Sequence, residues 1–199
     1  MFKQRDIPIV SGLLVVINGI VFLICTFTGD LLYNMGEMSV WGVLVCKEYG
    51  RIVWALFLHA GVNHLSNNMV ILFFMGAMIE KEIGHVPFVL SYFLAGLGGN
   101  LLSLAHKIVA GETLASIGAS GAVFGLDGVL LALVLFSRGK MENVTPRRVF
   151  LMIVLSLYNG FTGYNIDNAT HVGGLICGFL IGVMICIARR RKERWSFEH

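Results

Sequence analysis

Two short stretches of the sequence decide the fold: residues 118–125 read GASGAVFG, and residues 169–182 read ATHVGGLICGFLIG. Both lie in hydrophobic runs, and each carries glycines four residues apart. On a helix such glycines share one face, and inside a membrane they let two backbones approach closely. We therefore expect two tightly packed membrane helices, with Ser120 near the start of one and His171 near the start of the other.

The composition of the whole chain points the same way. Of its 199 residues, 56% are hydrophobic and 14% are charged, whereas a soluble domain carries roughly 25% charged residues. The mean hydropathy is +0.78. These values exclude a soluble globular protein and a disordered chain. The net charge is only +3, so no nucleic-acid partner is expected. The expected class is an all-α integral membrane protein surrounded by the lipid bilayer.

Six hydrophobic runs are long enough, or nearly long enough, to span a bilayer. The predicted fold is a single membrane domain over residues 1–199, built as a bundle of six transmembrane helices. Between the first two spans, residues 29–58 carry Trp41, Tyr49 and Trp54, which favour the membrane interface. This first outer loop is therefore expected to lie partly in the outer leaflet. The predicted spans are about 8–28, 64–80, 86–106, 120–136, 149–164 and 171–188.

The basic residues set the expected direction of the chain, because cytoplasmic loops carry an excess of Lys and Arg. With both termini in the cytoplasm, twelve basic residues are inside and three are outside. The prediction is a multi-pass protein of the cell membrane, with its functional site opening to the outer side. The inner residues are Lys3, Arg5, Lys81, Arg138, Lys140, Arg147, Arg148, Arg189, Arg190, Arg191, Lys192 and Arg194. The outer residues are Lys47, Arg51 and Lys107.

Ser120 and His171 are residue types that suit a nucleophile and its base. A serine hydroxyl is a weak nucleophile until a base removes its proton, and histidine has a pKa suited to that task near neutral pH. His64 and Asn68 lie four residues apart at the outer end of the second span, so they share a helix face. Together with the Ser120 backbone N–H, they are candidate donors to the oxyanion that forms during acyl transfer.

The residues alone leave other functions open. Asp127 and Asn100 would form a polar path in a membrane-protein binder or transporter that performs no catalysis. A zinc protease would use His59, His64 and His171, but the sequence has no HExxH motif, and histidines five residues apart share a helix face poorly. Taken singly, a serine between small residues is usually a packing residue, and a histidine near a helix end is usually interfacial.

The combination of motifs resembles the rhomboid intramembrane serine proteases over about residues 51–182. The matching pieces are GASG around Ser120, the run that holds His171 and Gly174, the H-x-x-x-N of His64 and Asn68, and the preceding histidine, His59. The resemblance implies an endopeptidase that cuts single-span membrane proteins in the bilayer and needs no metal or cofactor. It also implies a membrane-embedded first outer loop, and a substrate gate formed by the fifth helix and the loop after it.

The resemblance implies roles for individual residues as well. Ser120 would be the nucleophile and His171 the general base of a dyad without a third, acidic member. His64, Asn68 and the Ser120 amide would stabilise the oxyanion. Water would reach the dyad through a polar indentation lined by His59, Asn63, His64 and Asn67. The supporting residues would be His59, Gly118, Phe124 and Gly174.

Two positions depart from the family pattern. Gly50 precedes Arg51 where the family often has a tryptophan, which puts the anchoring of the first outer loop in question. Phe124 follows Ser120 by one turn, where it can stack on His171 but offers no hydroxyl. Both changes concern the support of the site and leave the catalytic groups in place.

Neither nearby acidic residue is expected to complete a triad. Asp127 follows Ser120 by seven residues, so it lies ~10 Å deeper on the same helix. Asp127 is expected either to be protonated or to bond to a neighbouring helix, for example at Asn100. Asp167 is expected to lie solvated in the loop before His171. Of the 27 acidic and basic residues, only Asp127 is expected clearly inside a span.

Overall fold

The computed structural model describes residues 7–136, 144–162 and 166–198. Within these ranges the chain is helical, and its long helices have lengths that suit a membrane. The α-helices are α1 (Ile9–Thr28), α2 (Leu31–Gly36), α3 (Arg51–Trp54), α4 (Val62–Ile71), α5 (Ala77–Ile83), α6 (His85–Ala110), α7 (Ser120–Phe136), α8 (Pro146–Thr162) and α9 (Asn168–Glu198). Shorter π and 3₁₀ turns cover Trp41–Val45, Ala55–Phe57 and Leu72–Gly76. The last of these joins α4 and α5 into one continuous rod.

Four of the described helices are long and apolar enough to cross a membrane: Ile9–Thr28, Val62–Ile83, His85–Ala110 and Asn168–Arg191. Ser120–Phe136 is a shorter apolar helix whose bounds match the predicted fourth span. The predicted fifth span, 149–164, corresponds to α8, although residues 163 and 164 lie outside the described part of the chain. α7 can be shorter than the other spanning helices because protein, and not lipid, surrounds most of its length.

The glycine stripes of α7 and α9 face each other, as their spacing predicts. A Cβ atom on Gly174 would overlap the carbonyl oxygen of Gly121, and one on Gly178 would overlap that of Gly125. The two backbones are therefore in direct contact over more than one helical turn. This close approach fixes α9 against α7 near Ser120, because no side chain separates the helices.

The first outer loop is held by its own polar contacts. Arg51 donates from Nη1 to the carbonyl oxygens of Asn34 (2.7 Å) and Glu37 (3.1 Å), and from Nε to Glu48 (2.5 Å). Trp54, on α3, is largely exposed. The anchoring put in question by the glycine before Arg51 is thus supplied by the arginine itself.

Two further backbone bonds tie this loop to the segment that precedes Ser120. Met38 and Ser116 exchange N–H···O bonds of 3.0 and 2.8 Å. The loop is therefore part of the scaffold of α7, and it positions the start of that helix.

Asp127 is not the only ionisable group inside a helix of spanning length, so that expectation was wrong. Glu80 is fully buried in α5 and accepts the backbone N–H groups of Val10 and Ser11, both at 2.8 Å. His85 contacts the same carboxylate at 2.5 Å. The first turn of α1 has unpaired donors and a positive dipole end, which a carboxylate from another helix satisfies.

The helix ends farthest from Ser120 carry a second set of polar contacts. Arg189 on α9 forms an ion pair with Glu82 (2.8 Å), and Arg190 donates to the carbonyl oxygen of Phe136 (2.7 Å). Part of the basic run in α9 therefore fastens this helix to α5 and α7.

Four of the residues used to predict the direction of the chain lie outside the described ranges: Lys3, Arg5, Arg138 and Lys140.

Candidate active site

Ser120 is the first residue of α7, and a glycine in an unusual backbone conformation places it there. Gly118 has a φ of +125°, a conformation that residues with a Cβ rarely adopt. Its N–H donates to the carbonyl oxygen of Ala55 (2.8 Å), and a Cβ on it would lie 2.7 Å from the His64 ring. The glycine is therefore required both by the turn and by the histidine packed against it.

His171 lies in the first turn of α9, with its Nε2 3.0 Å from Ser120 Oγ. The ring of Phe124 stacks on the imidazole, with 4.4 Å between centroids and an interplanar angle of 20°. The structure thus brings Ser120 and His171 within hydrogen-bond distance, and a flat apolar surface fixes the orientation of the ring. The stacking matches the contact expected of Phe124.

The other ring nitrogen of His171 has no protein partner. Nδ1 is buried and makes no hydrogen bond within the part of the chain that the structure describes. If Nε2 accepts the serine proton, Nδ1 must carry the other ring proton. No described carboxylate orients this histidine as the acid of a Ser–His–Asp triad would.

His64 and Asn68 line the same cavity as Ser120 and His171. Asn68 is buried, and its Nδ2 donates to the carbonyl oxygen of His64 at 2.9 Å. An amide nitrogen has two N–H groups, so a second donor remains on Asn68. Both residues therefore lie in the wall of the cavity that also holds Ser120 and His171.

His59 does not line this cavity, so the sequence-based expectation for it was wrong. It is fully buried, and both ring nitrogens have partners: Ala119 N–H donates to Nε2 (3.4 Å), and Nδ1 donates to the carbonyl oxygen of Phe57 (3.3 Å). Burial, together with the nearby His64 ring, lowers the pKa of His59 to about 4. A neutral His59 thus supports the turn that carries Ser120, because its acceptor nitrogen holds the backbone just before it.

Asp167 is only partly solvated and its carboxylate is paired within the protein, which corrects a second expectation. Its Oδ2 accepts hydrogen bonds from the hydroxyls of Ser103 and Ser116, its Oδ1 accepts the N–H of Thr170 (3.1 Å), and Lys107 lies 3.7 Å away. Burial raises the pKa of this carboxyl, but the hydrogen bonds and the Lys107 charge outweigh it, so the pKa of Asp167 is lowered. Asp167 therefore joins α6, the loop before α7 and the start of α9.

Sequence reasoning missed this cluster of four polar residues, although signals for it were present. Asp167 directly precedes α9, where aspartate is a favoured N-cap. Ser103 and Lys107 are four residues apart on α6 and so share a face. What the sequence does not show is that this face of α6 meets the start of α9.

Asp127 does not bond to Asn100, contrary to expectation. The Nδ2 of Asn100 donates to the carbonyl oxygen of Ile52 at 2.7 Å, since the first outer loop packs against α6 at this point. The Oδ1 of Asp127 is buried and has no hydrogen-bond partner among the described residues. Asp127 lies in the cavity wall below Ser120.

The cavity beside Ser120, here called the central cavity, has a volume of about 850 Å³. Of the residues expected to form a water path, Asn63, His64 and Asn67 line it. The histidines do not form a metal site with other ligands, because no group of three His, Cys, Asp or Glu residues within the described ranges has metal-binding geometry. The cavity is therefore large enough for peptide and water, with the Ser120 hydroxyl in its wall.

Comparisons with known proteins show which family the chain is similar to. Residues 46–188 match the family model of the rhomboid domain. The chain is 36% identical over 132 residues to rhomboid protease GluP of Bacillus subtilis, an alignment covering 66% of this chain and 25% of that protein. It is 31% identical over 169 residues to the putative rhomboid protease YdcA of the same species, covering 85% and 77% of the two chains.

Plant proteins are similar as well. RHOMBOID-like protein 4 of Arabidopsis thaliana is 34% identical over 157 residues, which is 78% of this chain and 39% of that protein. The chain thus spans well under two thirds of the length of several relatives it matches. The matched region nevertheless contains every helix that contributes to the site, and on this ground the chain is a multi-pass membrane protein that belongs to the rhomboid family.

Proposed function

We propose that this protein is an intramembrane serine endopeptidase that cleaves transmembrane or membrane-proximal segments of single-span membrane proteins. The observation that carries the proposal is the 3.0 Å separation between Ser120 Oγ and His171 Nε2 in the wall of the central cavity. The names of the relatives GluP and YdcA support protease chemistry. A rhomboid protein lacking either side chain could not form this pair, whereas this chain has both.

The chemistry follows from the two side chains. Ser120 Oγ attacks the scissile carbonyl carbon while His171 Nε2 takes the hydroxyl proton. The imidazolium then gives that proton to the leaving amine, which departs as the peptide bond breaks. Water hydrolyses the resulting ester with His171 acting again as base, and the serine is regenerated. Phe124 holds the ring in its productive orientation through both steps.

The negative charge that develops on the carbonyl oxygen has three donors available. The N–H of Ser120 is at the start of α7, where backbone donors lack helical partners and the helix dipole favours an anion. His64 and the second N–H of Asn68 face the same cavity. Loss of one such donor typically slows acyl transfer by roughly 10²–10³-fold.

Substrate entry is assigned to the side of the bundle formed by α8, whereas the loop after it, which belongs to the expected gate, lies partly outside the described residues. α7 is buried along most of its length, whereas α8 exposes large apolar side chains, including Phe150, Leu155 and Tyr158. The described part of α8 packs mainly against α7 and α9, and a helix with few packing neighbours moves at low cost. A substrate helix entering there must unwind locally, since a helix keeps its carbonyls hydrogen bonded.

The proposal includes the topology: six crossings of the cell membrane in a single domain over residues 1–199, both termini in the cytoplasm, and the central cavity open to the outside. Support comes from contacts of α5, in which Glu80 accepts backbone N–H groups from the start of α1 and Glu82 pairs with Arg189 of α9. The basic residues of α9 support the direction as well. A phosphatase reporter active only outside the cytoplasm tests it. Fused after residue 198 it should be inactive, and inserted at Glu112 it should be active. The reverse pattern would refute this direction.

Cleavage of a purified single-span substrate in detergent tests the activity. Ser120→Ala and His171→Ala should each lower kcat/KM by at least roughly 10³-fold. Ser91→Ala and His106→Ala are matched controls, because the Ser91 hydroxyl donates to the Pro87 carbonyl within α6 and His106 is exposed. Both controls should cleave like the parent. Labelling of Ser120 by a fluorophosphonate should likewise be lost in His171→Ala.

The same experiment separates the main alternative. A non-catalytic binder or transporter that uses Asp127 predicts loss of function in Asp127→Asn and no effect of Ser120→Ala. Undiminished cleavage by Ser120→Ala would end the protease proposal. The alternative also lacks the polar path through Asn100, because the amide of that residue is bonded to the first outer loop.

A further inference from the structure

The carboxylate of Asp167 contacts the segments that lead into both members of the dyad. Ser116, whose hydroxyl donates to Oδ2, lies four residues before Ser120. Thr170, whose N–H donates to Oδ1 at 3.1 Å, directly precedes His171. One side chain thus joins the chain just before the serine to the chain just before the histidine.

The start of α9 depends on the same residue. The helix begins at Asn168, so Asp167 stands at the N-cap position, where a carboxylate accepts a backbone N–H and meets the positive end of the helix dipole. The backbone carbonyl of Asp167 also accepts the N–H of His171, at 3.4 Å. Since His171 is in the first turn, the place where α9 starts sets the place of its imidazole.

Two residues one helical turn apart on α6 hold the carboxylate. Ser103 donates from Oγ to Oδ2, and the Nζ of Lys107 lies 3.7 Å from the same oxygen. Lys107 is buried and also donates to the carbonyl oxygen of Leu114, in the loop before α7. Burial raises the pKa of Asp167, but its hydrogen bonds and the Lys107 charge lower it further, so the group is ionised. Because α6 packs against both α7 and α9, it is a common support for them.

The glycine contacts between α7 and α9 leave a task for this carboxylate. A flat stripe of glycines sets the separation of two helix axes, but it has no side chains that interlock and resist sliding along the axes. Sliding by 1 Å would break the 3.0 Å contact between Ser120 Oγ and His171 Nε2. A misplacement of that size can slow a reaction by roughly 10²-fold.

We propose that Asp167 is a positioning residue for the reaction: by joining the segments before Ser120 and His171, it holds the two side chains at hydrogen-bond distance. The inference rests on the proposed function. Asp167 takes no part in proton transfer, because the Nδ1 of His171 has no hydrogen-bond partner among the described residues. Its effect on the reaction is therefore transmitted through the backbone and not through the imidazole.

Asp167→Ala in the full chain tests the proposal, with Glu82→Ala as the matched control. Each change removes a carboxylate that is paired with a basic residue, and the two side chains are similarly exposed, at 20% and 22%. Glu82 pairs with Arg189, near the other end of α9. At a temperature where both variants are folded, Asp167→Ala should lower kcat at least about tenfold and leave KM within about threefold of the parent. Glu82→Ala should keep both constants within about threefold.

A second pair of variants leaves Asp167 in place and tests the link to the Ser120 segment. Ser116→Ala and Ser103→Ala each remove one hydroxyl donor to the same Oδ2, but only Ser116 belongs to that segment. Ser116→Ala should slow fluorophosphonate labelling of Ser120 at least about fivefold, and Ser103→Ala less than about twofold. Asp167→Asn keeps an acceptor for the N–H of Thr170, so it should recover part of the labelling rate lost in Asp167→Ala.

Three results would overturn the assignment. The first is an Asp167→Ala variant that is less stable but keeps the kcat and labelling rate of the parent, since the residue would then serve stability alone. The second is an equal loss of labelling in Ser116→Ala and Ser103→Ala. The third is a rise in KM with kcat unchanged, which would assign Asp167 to substrate binding.

Labelling also separates failure of this inference from failure of the proposed function, because it reports the dyad without a substrate. A parent that is labelled at Ser120 but cleaves no membrane protein refutes the proposed function, and the labelling comparisons still decide the positioning role. A parent whose cleavage depends on Ser120, with an Asp167→Ala variant that cleaves equally well, refutes the positioning role alone. A parent that is neither labelled nor active refutes both.

Discussion

At the scale of single residues, the site depends on a few side chains whose surroundings restrict them to one arrangement. His171 is fixed by the Phe124 ring on one side and by Ser120 at Nε2. His59 is fixed through both ring nitrogens in its neutral form. The turn before Ser120 requires glycine at position 118 for two reasons. Its φ of +125° is one that residues with a Cβ rarely adopt, and a Cβ there would overlap the His64 ring. The distance and orientation between Ser120 and His171 therefore depend on contacts with a few neighbouring residues.

Replacement of Gly118 by alanine tests this constraint. The strained backbone costs about 1–3 kcal/mol, and the displaced His64 ring should remove most of the cleavage activity. Gly111→Ala is the matched control: Gly111 also has a positive φ, +69°, but a methyl group added there would meet no atom within 4 Å. It should lose about 1 kcal/mol of stability and keep its activity. Equal activity in the two variants would show that contact with His64 does not matter.

At the scale of helices, two devices hold α9 in register with α7. The first is backbone contact through glycines, which leaves no side chain that could adopt alternative rotamers. The second is the Asp167 carboxylate, which accepts Thr170 N–H in the first turn of α9 and two hydroxyls from neighbouring segments. Since His171 belongs to that first turn, both devices act on the distance from Ser120 to His171.

A methyl group on the α9 stripe tests the first device. Gly178→Ala would place its Cβ against the Gly125 carbonyl, so the helices must separate. Overpacking of this kind costs about 1–3 kcal/mol, and labelling of Ser120 should fall by at least about tenfold because the dyad widens. In Gly12→Ala the added methyl meets open space on α1, so stability and labelling should be maintained. Normal labelling of Gly178→Ala would show that the dyad does not depend on this contact.

At the scale of the whole molecule, stability depends on pH through groups outside the spans. Burial and the neighbouring His64 lower the folded-state pKa of His59 to about 4, against an ordinary value of 6.5. A lowered pKa means that the stabilising contribution is fully present above pH 6.5 and is lost as pH falls toward 4. Asp167 affects stability in the same direction. Because its pKa is lowered in the folded state, its stabilising contribution is present above the ordinary pKa of aspartate and is lost as the pH falls below that value.

We therefore expect the free energy of unfolding in detergent to fall by roughly 2–3 kcal/mol between pH 6.5 and about 4. Unfolding followed by tryptophan fluorescence at several pH values measures this. In His59→Phe the decline over that interval should be clearly smaller, although the variant starts from lower stability. His106→Phe, at an exposed position, should retain the decline. A parent protein equally stable at both ends of this pH interval would contradict the role given to His59.

Much of the architecture was predictable because the membrane imposes strong rules. Apolar runs of the right length gave helices close to their observed bounds, and α7 begins and ends at the predicted residues. Glycines four apart on two runs predicted which helices meet. The errors concern polar residues: Asp167, His59, Glu80 and Asn100 all have partners on other segments. Helical periodicity shows which residues share a face, but it does not show which face of another helix lies opposite.

The sequence by itself determined the membrane class and the course of the long helices, because hydrophobic length is a local property of the chain. Glycine spacing predicted that Ser120 and His171 could meet, and helix packing brought them together. Only the tertiary structure decided where the polar side chains go. In the folded protein, Asp167 joins three segments and His59 is buried outside the cavity lining. The Oδ1 of Asp127 lies in the cavity wall without a partner among the described residues. Those outcomes depend on contacts between residues far apart in the chain, and such contacts exist only once the helices have packed.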